Sequence, residues 1–206
     1  MNLAFDHLAV TAASLAAGHA HVRDALGIAM PPGWRHPLMA THNRLARLGE
    51  DEFLEVIAVD PEARPQRPRW FGLDHHADAP PRLGTWILRT DDLASTLARM
   101  PPECGPPVHL TRGELSWQLS VPDDGSMPFD GVFPTLIEWP MRPLPATRMA
   151  EVGCALVSLT VRHPEADRLQ ALIGDALNDP RIRFQTHAVA GLRASIDTPD
   201  GPRTLV

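Results

Sequence analysis

The chain has 206 residues, 44% hydrophobic and 21% charged, the composition of a globular protein of one to two domains with a real core. All 19 basic residues are arginine and there is no tyrosine, which excludes a Schiff-base lysine, a phosphate-loop lysine and any tyrosine acid or base. The formal net charge of −6 argues against nucleic acid as a partner, because phosphate binding needs a basic stripe.

Gly-x-Gly, Gly-x-Ser-x-Gly and His-Glu-x-x-His are all absent, so no dinucleotide, serine-hydrolase or zincin fingerprint is present. The opening MNLAFDHLAV carries no basic leader, and no apolar run reaches the length of a membrane span. Cys104 and Cys154 are the two cysteines and form no Cys-x-x-Cys. A cytoplasmic, non-membrane protein is expected.

In chain order, Phe5–Thr11 alternates as a strand, with Leu8 and Val10 on one face and His7 on the other. Leu15, Val22 and Leu26 then fall at helical spacing, stopped by Gly27. Thr41–Leu48 and Glu52–Val59 predict a hairpin across Gly49-Glu50-Asp51. A proline-rich connector follows over 61–83. Strand Thr85–Thr90 opens a second copy, in which Asp91-Asp92 starts a helix carrying Leu93, Leu97 and Met100. Leu115–Val121 and Thr135–Trp139 supply its later strands. A third copy runs from strand Ala155–Arg162 into a helix with Pro164 at its start and Leu169, Ile173 and Leu177 along it. Segments Arg181–Val189, Leu192–Asp197 and Arg203–Val206 complete that copy. The division is therefore a first module over 1–60, a second over 84–140 and a partial third over 141–206. A strand, one helix and then antiparallel strands, repeated, predicts an α+β fold.

One helix covers one face of each small sheet, so parity identifies side chains on the open face. His7 points there. A hairpin centred on Gly49-Glu50 sets Arg44 across from Glu55 and His42 across from Ile57, which groups His42, Arg44 and Glu55. Glu138 in TLIEW holds the place of Glu55, and Trp86 in GTWILRT the place of His7. A carboxylate inside LEVIAV needs a partner. A divalent ion held by imidazole and carboxylate is one; an arginine such as Arg44 or Arg89 is another. Trp70-Phe71 on the connector is placed to fold over a pocket. His75-His76 read as a solvated loop, His19 and His21 as surface residues, and Trp117 and Trp139 as core.

DHLAV, THNRLARLG leading to EFLEVIAVDP, and RWFGLD together resemble the glyoxalase-like members of the vicinal-oxygen-chelate superfamily. That resemblance implies paired βαβββ modules whose curled mixed sheets enclose a cavity, with the helices outside. It also implies one divalent metal (Zn, Mn, Ni or Fe(II)) that chelates vicinal oxygens of the substrate. Carried over, His7 and Glu55 match the first module's ligands and Glu138 the second module's last-strand ligand. Trp86 stands at the fourth position and cannot bind a metal; His42 is a candidate replacement. The third copy has Ser158 where the first has His7, so it is structural or completes the second sheet.

Two readings follow. One is a metal-dependent lyase, isomerase or dioxygenase on a small oxygenated metabolite, with Glu55 or Glu138 as general base. The other is a metal-free protein that binds or sequesters a small molecule, with Trp86 as a stacking platform. His42, Asn43, Arg44, Trp70 and Trp86 are the candidate substrate contacts in either case. Open sheet edges make a homodimer the expected assembly.

Overall fold

The first apolar alternation becomes strand β1 (Ala4–Ala12) in a computed structural model that describes residues 2–76 and 78–206. Helix α1 (Leu15–Leu26) follows, capped by the Ser14 hydroxyl, which accepts from the Ala17 N–H, and ended by Gly27 at φ 75°. Strands β2 (Pro32–His36), β3 (Thr41–Arg47) and β4 (Phe53–Val59) complete the first module. Gly18 lets α1 touch the sheet: a Cβ there would lie 2.5 Å from Val56 Cγ1 on β4.

The second module repeats the order as β5 (Arg82–Arg89), α2 (Leu93–Leu97), β6 (Pro107–Arg112), β7 (Leu115–Ser120) and β8 (Thr135–Glu138). Asp92 caps α2 by accepting from the Ser95 N–H, as the sequence predicts.

The two modules share one eight-stranded sheet, ordered β2-β3-β4-β1-β5-β8-β7-β6. In each, the first strand lies parallel to the last, and antiparallel pairing of β1 with β5 joins the halves. The sheet curls nearly into a barrel. Its edge strands meet where the Arg112 guanidinium of β6 sits 3.9 Å from the Trp34 ring centroid of β2.

The residue patterns alone do not reveal β2 and β6. PGWRH and PVHLTR open on proline and leave most side chains at least partly exposed, so an apolar alternation never develops.

The β3–β4 register departs from the predicted one by a residue. Leu45 pairs with Glu55 and Asn43 with Ile57, because the turn spans Leu48 to Glu52, whose backbones hydrogen-bond at 2.9 Å. With a side-chain period of two, this slip sends Asn43 and Leu45 to the inner face and His42 and Arg44 to the outer one.

The third copy has the expected element order: β9 (Ala155–His163), α3 (Ala166–Ile173), β10 (Ile182–Thr186), β11 (Gly191–Thr198) and β12 (Gly201–Leu205). Its pairing differs. β9 lies parallel to β10 rather than to its last strand, giving a separate sheet ordered β10-β9-β11-β12. It therefore does not complete the second module's sheet. Leu159, Val161, Ala194 and Ile196 pack instead with Leu8, Val10, Trp86 and Leu88, in the core between the two sheets.

Candidate functional site

Inside the curl is a small cavity of about 50 Å³, partly open to solvent. Strand β1 brings His7, β3 Asn43 and Leu45, and β4 Phe53 and Glu55; Trp117, Ile137 and Trp139 come from β7, β8 and the residue after β8. Trp70 and Phe71 of the connector also line it.

A bulge builds the polar pole. The β1–β5 ladder shifts register between Phe5 and His7, leaving Asp6 as the extra residue. Asp6 Oδ1 accepts from His7 Nδ1 at 2.6 Å, and Oδ2 accepts from the Trp139 indole N–H at 3.1 Å. His7 Nε2 faces Glu55 Oε2 at 3.6 Å, and its ring stacks on Phe53 at 4.1 Å between centroids. Asn43 donates from Nδ2 to Glu55 Oε1 at 2.6 Å, while its Oδ1 accepts from the Trp34 N–H at 2.8 Å. That second bond fixes which end of the amide meets Glu55.

All three ionisable side chains are buried. Burial works against the His7 cation, but the hydrogen bond to Asp6 and the facing Glu55 carboxylate outweigh it and raise the His7 pKa. For Glu55, burial pushes upward, while the facing His7 cation, with help from Asn43, brings the pKa below its ordinary value. Both shifts favour the charged imidazolium–carboxylate pair over its neutral form.

His36 is the opposite case. Burial, with the Arg112 charge nearby, takes its pKa down to about 4. The neutral ring has Nδ1 3.0 Å from Thr41 Oγ1 and Nε2 3.5 Å from Asn43 Nδ2, so Nδ1–H donates and Nε2 accepts. Trp70 meets it edge-on at 5.0 Å.

Of the residues singled out from sequence, His7, Asn43, Glu55 and Trp70 converge on this cavity. Four do not. Arg44 turns outward and donates to the Met30 carbonyl at 2.6 Å; His42 lies on the same outer face by register. Trp86 is fully buried in the outer core, where its indole donates to the Val132 carbonyl at 2.8 Å. Glu138 accepts from the Leu93 N–H at 2.7 Å, at the start of α2. The parity carried over from the first copy is off by one residue at both of the last two positions.

The strand ladders identify the true counterparts. Glu55 lies beside Ala9, two residues after His7; Ile137 lies beside Arg89, two residues after Ile87, the residue opposite His7. The second module thus offers Ile87 and Ile137 where the first offers His7 and Glu55. Among the described residues no three His, Cys, Asp or Glu side chains converge as a metal site. One imidazole and one carboxylate already engaged with each other do not fit the divalent metal implied by the fold family, which needs at least three protein ligands.

Asp6, His36 and Arg112 were missed from sequence. Asp6 adjoins His7, which was a legible signal; His36 and Arg112 sit on the unrecognised edge strands. Trp117, read as core, is buried in the inner apolar cluster, with the partly buried Trp139 packed against it, and both also line the cavity.

Among the described residues no helix is long and apolar enough to cross a membrane. Comparison with curated proteins finds no match. Among solved structures, a hypothetical protein from Staphylococcus aureus superposes with a TM-score of 0.65 at 15% identity, covering 92% of this chain and 88% of that one. Methylmalonyl-CoA epimerase from Mycobacterium tuberculosis matches 67% of this chain and 89% of its own at 18% identity, with a TM-score of 0.44. A Streptomyces coelicolor methylmalonyl-CoA epimerase covers 66% and 97% at 13% identity, with a TM-score of 0.46. The family model for the glyoxalase-like domain matches residues 5–177, most of the chain, and the protein belongs to that family.

Proposed function

We propose that this glyoxalase-like protein binds a small molecule in the curled-sheet cavity without a metal ion. The observation that carries the reading is the donor set: Ile87 and Ile137 occupy the positions equivalent to His7 and Glu55. Isoleucine contributes no lone pair, so the four-ligand centre behind the metal-dependent lyase, isomerase or dioxygenase reading loses half its ligands. The aromatic walls favour a ring or compact apolar skeleton, and the polar side chains among them orient its polar end.

A second reading is favoured by the ionised, cavity-facing Glu55. In it Glu55 abstracts a proton from a bound carbonyl compound and His7 donates one, again without metal. Protein purified without chelator should carry substoichiometric Zn, Mn, Ni and Fe. Hits from a thermal-shift screen of small carbonyl, catechol and epoxide compounds should persist in EDTA. Stoichiometric metal that disappears in the His7→Ala, Glu55→Ala double variant would overturn the proposal. Glu55→Gln separates the two readings, since it abolishes solvent-deuterium exchange into a hit only if Glu55 is a base.

A further inference from the structure

We infer that the cavity takes a small planar molecule bearing one anionic group, with Arg112 as its counter-charge; this rests on the metal-independent reading above.

The charges of the polar pole balance one another. Asp6 is met by His7 at 2.6 Å and by Arg89 at 3.9 Å, and Glu55 by His7 at 3.6 Å and by the Asn43 amide. Two carboxylates face two cations. Arg112 is left over. Its side chain lines the cavity and is partly buried, yet among the described residues it forms no ion pair. It rests instead on π faces, 3.9 Å from the Trp34 centroid and 5.8 Å from that of Trp117.

Burial lowers the Arg112 pKa, against the opposing pull of the more distant Glu55 charge, with which it forms no ion pair. A guanidinium presents a planar fork of donors that matches a carboxylate bidentately. Trp70 lines the same cavity, and its buried indole N–H has no acceptor among the described residues. It is a second donor for the same group. The neutral His36 beside Trp70 and Trp117, with Phe71, leaves the remaining wall suited to a ring. A cationic ligand fits poorly, because both carboxylates already have partners and the remaining charge is positive.

Calorimetric titration with benzoate and benzamide tests this, since the two share a ring and differ in head-group charge. Benzoate should bind roughly ten- to a hundredfold more tightly than benzamide, the range of a hydrogen-bonded charge. Arg112→Gln should erase that preference while leaving benzamide binding in place, and Arg112→Lys should keep part of it. If Arg112→Gln does not fold, the wild-type protein still decides: added salt should weaken benzoate and leave benzamide unchanged. Equal affinity for the two probes, a preference that survives Arg112→Gln, or no benzoate binding overturns the anion assignment and leaves the metal-independent cavity standing. Binding that appears only with added Zn or Mn overturns that reading, and this inference with it.

Discussion

His7 and His36 line the same cavity and titrate in opposite directions, so the protein's acid response is a difference between them. His36 is held neutral, with a pKa of about 4 against 6.5 unfolded. Between those values the unfolded chain binds the extra proton, and stability falls as pH falls. At 1.36 kcal/mol per unit the loss is up to about 3 kcal/mol. The raised His7 pKa contributes stability that is full below 6.5 and fades as pH rises through its folded value. The depressed Glu55 pKa contributes above 4.5 and fades as pH falls through its folded value. The ion pair is therefore fully effective between 4.5 and 6.5, where His36 opposes it. His36→Gln should flatten the acid limb of the urea-midpoint profile between pH 7 and 4.5; a variant curve parallel to wild type would refute the neutral, buried His36. Glu138 belongs to a different job. Glu138→Ala removes the acceptor of the Leu93 N–H at the start of α2 and should cost about 1 kcal/mol in urea unfolding. Ligand affinity should be unaffected, and a large affinity loss would restore Glu138 to the site.

At the scale of elements, the contact between α1 and β4 sets how closely the helix lies on the sheet. Gly18→Ala improves intrinsic helix propensity by about 1 kcal/mol, yet its methyl would meet Val56 Cγ1 at 2.5 Å. Overpacking of that kind costs about 1–3 kcal/mol, so net destabilisation is expected. Adding Val56→Ala should relieve most of that cost and leave the tight contact with the Ala12 Cβ at 3.0 Å. Calorimetric melting of the four proteins of this cycle measures the coupling, and additive effects would mean the contact is not close. The β3–β4 hairpin carries the other element-scale lesson. Adding one residue to its turn relative to the predicted centre exchanges which of His42, Asn43, Arg44 and Leu45 face the cavity. Hydrophobicity barely opposes the exchange, because apolar and polar residues occur on both faces of this strand.

For the whole molecule, the four-stranded sheet of the third copy is what makes the outer face of β1 and β5 a core. Trp86, Leu8 and Val10 are wholly buried there, and the Trp86 ring lies 6.2 Å from Phe184 of β10. Trp86→Ala should therefore destabilise by about 3–5 kcal/mol. In variant protein that remains folded, the ligand dissociation constant should stay within a few-fold of wild type. A selective loss of ligand binding at unchanged stability would return Trp86 to the cavity.

Local pattern was enough to locate β1, β4, the helices and the recurrence of modules, because amphipathic period and caps act within a few residues. It was also enough to single out His7 and Glu55, since a polar residue on an otherwise apolar strand is conspicuous wherever the strand lies. Tertiary structure alone decided the rest. Edge strands β2 and β6 are held by pairing along one side, not by an apolar face, so His36 and Arg112 entered the site unannounced. A bulge at Asp6 and a longer turn at Gly49 moved parity by one residue, and long-range ladders alone register such a shift. The pairing of β9 with β10 likewise depends on which apolar face reaches which, a choice that the shared order of strand and helix leaves open.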